Sequence, residues 1–161
     1  MSRTVLADTG PLYAAVDPSD EHHERAQEDI GRLNSEGFGV AVAYPTLCEC
    51  YSLVLYKLGA GVAQGWLEEI EGGSFLMNPT PDDFREAASL VRRYRDQSLS
   101  MFDAVAAVVG SRLSLPIWTY DHHFDVVRVE VVARRINSTP SRVDDAPGDS
   151  GILRGGNVRW V

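Results

Sequence analysis

Four carboxylates are set apart by where they fall relative to the apolar segments of this 161-residue chain. Asp8 directly follows Thr4-Val-Leu-Ala7, and Asp121 comes just after Leu115-Pro-Ile-Trp-Thr119. Each apolar run reads as a short buried strand. Both acids therefore lie just past a strand's carboxyl end, the edge at which open α/β sheets place their ligand crevice. Glu49 and Asp103 sit near the N-terminal ends of predicted helices, which border the same edge. Carboxylate oxygens are hard donors of the kind that Mg2+ and Mn2+ prefer. Four of them gathered without a lysine repel one another, so the site should want a divalent cation.

Two of the four have a purely local alternative. Ser100 and Asp103 have the Ser-x-x-Asp spacing of a helix start, so Asp103 could do no more than cap its own helix. Thr46-x-x-Glu49 has the same capping-box form. The residues C-terminal to Asp103 point to more than a cap. Ala106, Ala107 and Gly110 share its helical face at spacings of three and four, a column small enough to let the helix lie close against a sheet.

The elements that must position these acids alternate along the chain. After the first strand and the turn Thr9-Gly10-Pro11, a helical segment Leu12–Val16 is expected, then a helix capped by Ser19 and running to about Leu33. His22 and His23 sit there with Glu21 and Glu24; neighbouring helix positions diverge, so both histidines are read as exposed. Phe38–Val42 is the next strand, and Pro45 fits the first position of a helix with Leu47, Tyr51, Val54, Leu55 and Leu58 on its apolar side. Gly59-Ala-Gly61 separates it from a helix over 62–71, followed by a strand Ser74–Met77. Thr80-Pro81-Asp82-Asp83 starts a helix reaching about Arg95, and the Ser100 helix comes next. The Leu115–Thr119 strand, a helical turn His122–Val126 and a last strand near Val129–Ala133 complete the pattern. Strands alternating with helices predict a three-layer α/β sandwich with a mostly parallel central sheet over residues 1–136. Residues 137–161 shift to Ser, Pro, Asp and Gly and read as a tail that is poorly packed or binds a partner.

Composition narrows the class. At 44% hydrophobic and 24% charged residues, this is the make-up of one globular domain. A net charge of −8 argues against a general nucleic-acid-binding surface, though not against an enzyme that gathers acids around a metal. Such an enzyme needs local cations, for which Arg92, Arg93 and Arg95 are candidates, the alternative being a solvated helix face. Cys48 and Cys50, the only cysteines, point to different sides of one predicted helix and cannot pair. With no signal-peptide pattern and no apolar run near the roughly 18 residues of a membrane span, a cytoplasmic protein is expected. A phosphatase-like hydrolase is poorly supported: Asp8-Thr9-Gly10 has no second acid two residues on, and the one lysine, Lys57, lies in an apolar helix.

Taken together, Val5-Leu-Ala-Asp8-Thr-Gly-Pro-Leu12, Leu47-Cys-Glu49-Cys-Tyr51, Leu99-Ser-Met-Phe-Asp103-Ala-Val-Ala-Ala107 and Thr119-Tyr-Asp121-His-His-Phe124 resemble the PIN-domain ribonucleases. Among these they are most similar to the VapC-type toxins of bacterial toxin–antitoxin pairs. The resemblance implies a Mg2+- or Mn2+-dependent endoribonuclease whose acidic quartet is Asp8, Glu49, Asp103 and Asp121. It implies Thr9 and Thr119 as hydroxyls that orient carboxylates or metal-bound water. His123 becomes a candidate contact to substrate, its alternative being an ordinary exposed histidine. A homodimer, an RNA substrate (often tRNA in this family) and a cognate antitoxin covering the groove are implied as well. The other reading of the same resemblance is a non-catalytic PIN module that binds RNA or protein.

Overall fold

In the computed structural model, residues 3–127 are described. The predicted strand Val129–Ala133 and the 137–161 tail lie outside them. The strands among the described residues are β1 (Thr4–Ala7), β2 (Gly39–Ala43), β3 (Phe75–Met77) and β4 (Ile117–Trp118). They form one parallel sheet in the order β3-β2-β1-β4, so the chain winds outward from β1 in both directions.

The sheet is covered on both faces, because successive strand residues point to opposite sides. Val5, Ala7, Val40, Val42 and Trp118 face one core. That core is filled by α1 (Thr9–Val16), α2 (His23–Ser35), α3 (Tyr44–Leu58) and α4 (Ala60–Gly73). Leu6, Ala41 and Ile117 face the other, made with α5 (Pro81–Arg93), α6 (Met101–Leu113) and α7 (His123–Val126). The result is the expected three-layer α/β sandwich.

The small-residue column of α6 does what its spacing suggests. A Cβ added at Gly110 would stand 3.1 Å from both Ile117 Cγ1 and the Leu115 carbonyl oxygen, so the helix backbone sits directly on β4. Across the layer, the buried carboxylate of Asp83 on α5 takes a two-pronged ion pair from Arg112 on α6, both contacts at 2.7 Å. Gly59, at φ 92°, ends α3 and begins α4 in a conformation that costs other residues more.

Several boundaries differ from expectation. α1 begins at Thr9, not Leu12: Gly10 and Pro11 occupy its first turn, where a missing N–H costs nothing. Ser19 does not cap α2. The side chains of Asp17 and Asp20 accept from the backbone N–H of Ser19 and His22, and this turn delays the helix to His23. β4 is shorter than Leu115–Thr119, since Pro116 has no N–H to donate and contributes only its carbonyl, to Leu6 N. α4 is longer than expected at both ends, and α5 stops at Arg93.

Candidate active site

All four acids reach one cleft at the carboxyl edge of the sheet, where Asp8, Glu49, Asp103 and Asp121 line the walls together with Thr9 and Tyr120. Asp8 leaves β1 and occupies the N-cap position of α1, yet its side chain makes no capping bond. It is turned into the cleft, only 5% exposed, and accepts a hydrogen bond from the Thr119 hydroxyl at 2.8 Å. Burial pushes its carboxyl up to about 7, and the charges of Asp103 and Glu49 push the same way against the bonds from Thr119 and the Thr9 N–H.

Glu49 sits in the second turn of α3. The capping-box reading fails: α3 begins at Tyr44, so Thr46 is already inside the helix and buried, and Glu49 accepts from the Thr9 hydroxyl at 2.5 Å instead. Burial, with a contribution from Asp103, holds its carboxyl above the usual range. The Cys50 thiol beside it is buried and is raised chiefly for that reason, so it remains a protonated core group. Cys48 is exposed on the other side of the helix.

Asp103 serves as cap and as cleft residue at once. Its backbone N–H donates to Ser100 Oγ at 3.1 Å while its Oδ2 accepts from Ser100 N at 3.3 Å, completing the capping box. Burial raises its carboxyl. The charge of Asp121 adds to that, and the Ser100 bonds and His123 oppose it. Asp121 comes after β4; its N–H donates to Thr119 Oγ1 at 3.0 Å, and its Oδ1 accepts from His123 N at 2.9 Å. Thr119 thus binds Asp8 and the Asp121 backbone with one hydroxyl.

His123 is not the exposed histidine of the local alternative. Its side chain is 18% exposed, with Nδ1 2.8 Å from Asp121 Oδ1, while His122 beside it is open to solvent. His22 and His23 are both half-buried, contrary to expectation. His23 Nδ1 lies 2.7 Å from the Ala14 carbonyl oxygen. His22 lines the cleft with its ring 5.0 Å from that of Tyr120. The Asp17 and Asp20 turn brings it there, and only the Asp/Ser/Pro composition of that stretch signalled it. Arg92 and Arg93 end α5 and Arg95 follows it; none of them lines the cleft, whose described lining contains no lysine or arginine.

The donor set fits a hard divalent cation. Three carboxylates are held above their usual range in a common cleft, with no basic side chain of lysine or arginine among its described walls to balance them.

Known proteins share this arrangement of elements. The chain is 28% identical to the ribonuclease VapC26 of Mycobacterium tuberculosis (strain ATCC 25618 / H37Rv) over 127 residues, which cover 77% of this chain and 92% of that protein. Its fold matches the crystal structure of the M. tuberculosis sarcin-ricin-loop-cleaving toxin VapC20 with a TM-score of 0.70 at 19% identity, covering 80% of this chain and 98% of the other. A similar match, TM-score 0.63 at 11% identity over 80% and 96% of the two chains, is to VapBC2 of Rickettsia felis bound to a fragment of its promoter DNA. The family model of the PIN domain matches residues 5–130, a span that begins with β1 and takes in all four acids of the cleft. That match spans well over half of the chain, and the chain belongs to the PIN domain family.

Proposed function

We propose that this protein is a divalent-metal-dependent endoribonuclease acting as the toxin of a toxin–antitoxin pair. The observation that carries the reading is the cleft itself: four carboxylates from four separate elements converge, and burial and mutual repulsion raise three of them. The similarity to VapC26, a ribonuclease by name, supports RNA as the substrate. The solved VapBC2 assembly supports a cognate antitoxin as partner.

In this reading Asp8 and Asp103 would hold the ion, with Asp121 next to them. Glu49, half-buried and raised, is a ligand through water or the group that accepts the attacking water's proton. Thr119 fixes the Asp8 rotamer and Thr9 fixes Glu49, so neither carboxylate needs to reorganise when substrate arrives. The His123 backbone N–H holds Asp121 Oδ1, and the ring stands beside the same oxygen, with Nδ1 2.8 Å from it. What a bound Mg2+ or Mn2+ supplies is a lowered water pKa and compensation of the charge on the phosphate oxygens. The acids alone would repel the RNA phosphate, so the ion also makes substrate approach possible. A homodimer is part of the proposal, supported by Phe84, Met101 and Phe102 exposed in the first turns of α5 and α6. The unpaired cysteines suit the reducing cytoplasm in which such an RNA target is met.

The test is cleavage of bacterial total RNA by the purified chain with and without EDTA. Cleavage should require Mg2+ or Mn2+, and Asp8→Ala and Asp103→Ala should each reduce it by at least about a hundredfold. Expression of the wild type alone should slow bacterial growth, and expression of Asp8→Ala should not. RNA binding without cleavage would make the protein a non-catalytic PIN module. Undiminished cleavage by both alanine variants would remove the site.

A further inference from the structure

Asp29, on the middle turns of α2, takes no part in the chemistry proposed above, yet it holds the two residues that flank Thr119. Its Oδ2 accepts from Trp118 Nε1 at 3.2 Å and from the Tyr120 hydroxyl at 2.8 Å, across 89 and 91 residues of sequence. The Arg32 guanidinium, one helical turn on, stands 3.9 Å from its other oxygen, and the Asp29 side chain is only 15% exposed. The described sheet ladder ends at Trp118, and among the described residues Thr119–Asp121 has no strand partner. The bonds that hold it among these residues come from side chains. Thr119 is tied to Asp8 and to the Asp121 N–H, but those bonds link cleft residues to one another. The Asp29 bonds tie the segment to a helix outside the cleft. Arg25 lies over the Tyr120 ring at 4.3 Å and His22 approaches it at 5.0 Å, so the ring is confined from the sides and Asp29 fixes its polar end.

We propose that Asp29 is a positioning residue for the carboxylate site: by anchoring Trp118 and Tyr120 it sets the Thr119–Asp121 segment on which the Asp8 rotamer and the place of Asp121 depend. This rests on the metal-site reading above. A charged acceptor shared by two neutral donors makes stronger bonds than a neutral one, and partners one step removed from metal-holding groups characteristically tune affinity through orientation. Loss of the anchor lets the Thr119–Asp121 segment drift while Trp118 keeps its ladder pairing with Ala7 and its place in the core.

The experiment is a titration of the full chain with Mn2+, followed by the electron paramagnetic resonance signal of the free ion, with circular dichroism to confirm folding. Asp29→Ala and Tyr120→Phe should each weaken Mn2+ binding roughly ten- to a hundredfold, and total-RNA cleavage at one fixed Mn2+ concentration should fall with it. Asp29→Asn, whose amide oxygen can still accept both bonds, should restore most of the affinity. The double variant Asp29→Ala/Tyr120→Phe should bind no worse than Asp29→Ala, because both changes break one chain of contacts. Lower thermal stability with wild-type Mn2+ affinity in either single variant would make Asp29 a brace of the fold and overturn the proposal. Should Asp29→Ala fail to fold, Tyr120→Phe, which removes one oxygen, decides alone. A wild type that binds no Mn2+ overturns this role together with the metal site, whereas one that binds Mn2+ yet cuts no RNA overturns only the ribonuclease reading.

Discussion

Asp8 is nearly sealed from water with no lysine or arginine among the described cleft walls, and that has a consequence for stability. Its carboxyl titrates at about 7 in the folded chain against an ordinary 3.8. The protonated form is therefore favoured by folding, and the stability it contributes is full below about pH 4 and lost as pH rises through 7. The metal-free protein should become less stable between these limits, by up to a few kcal/mol at about 1.4 kcal/mol per pKa unit. Asp8→Asn keeps an acceptor for Thr119 and removes the charge. Its chelator-treated melting temperature should fall less steeply over that range, with the slope due to Glu49 and Asp103 remaining, and exceed wild type at pH 8. An equally steep wild-type and variant profile would show that Asp8 is not the group responsible. Asp103 shows why a single residue can answer to two motifs. A capping carboxylate uses one oxygen on Ser100 N and leaves the other free, so capping and cleft roles coexist.

Among the elements, α5 and α6 are joined by a contact that lies outside the cleft. Asp83 closes the Thr80 capping box of α5 and also receives both prongs of Arg112 from α6. These bonds, Arg112 first, hold its carboxyl down to about 2, so its contribution is present above pH 4 and is lost as pH falls through the folded value. Asp83→Ala should cost about 3 kcal/mol, since it removes a cap and a buried ion pair together. Arg112→Ala should cost at least as much, because it strands a buried carboxylate, whereas Arg112, 43% exposed, stays hydrated when Asp83 is removed. Urea unfolding at pH 7 measures both, and metal affinity of the folded variants should match wild type. A clearly smaller loss from Arg112→Ala than from Asp83→Ala would mean that the capping bonds, and not the ion pair, carry the contribution of Asp83.

For the whole molecule, net charge and site charge act in the same direction. A chain at −8 that concentrates acids in one cleft folds against its own repulsion, and an ion bound only by the folded form offsets it. Mg2+ or Mn2+ should raise the melting temperature increasingly with concentration. A roughly hundredfold excess over Kd corresponds to about 2.7 kcal/mol. Asp103→Asn retains an acceptor for Ser100 N, so it should be more stable than wild type without metal and respond less when metal is added. A variant that is less stable without metal and equally responsive would leave Asp103 with its capping role alone.

The fold class, the parallel sheet and the gathering of the four acids at one sheet edge were legible in the sequence because each depends on local pattern. Strand-ending acids, helix starts and the 3.6-residue apolar period are properties of short windows. The column Ala106, Ala107, Gly110 even foretold the close approach of α6 to β4. What no window contains is the choice between equivalent local partners. Glu49 has the same three-residue spacing from Thr46 that Asp103 has from Ser100, yet only the second pair makes a capping box. The packing of α1 against α3 decides this, because it brings the Thr9 hydroxyl to Glu49 and carries Thr46 into the interior. Asp29 is the extreme case: in sequence it is one acid among several on an exposed-looking helix, and only the fold brings it to donors 89 and 91 residues away. Backbone pattern is encoded locally because sterics and solvent act on neighbours, whereas the pairing of polar side chains waits for tertiary packing to decide which of them share a buried space.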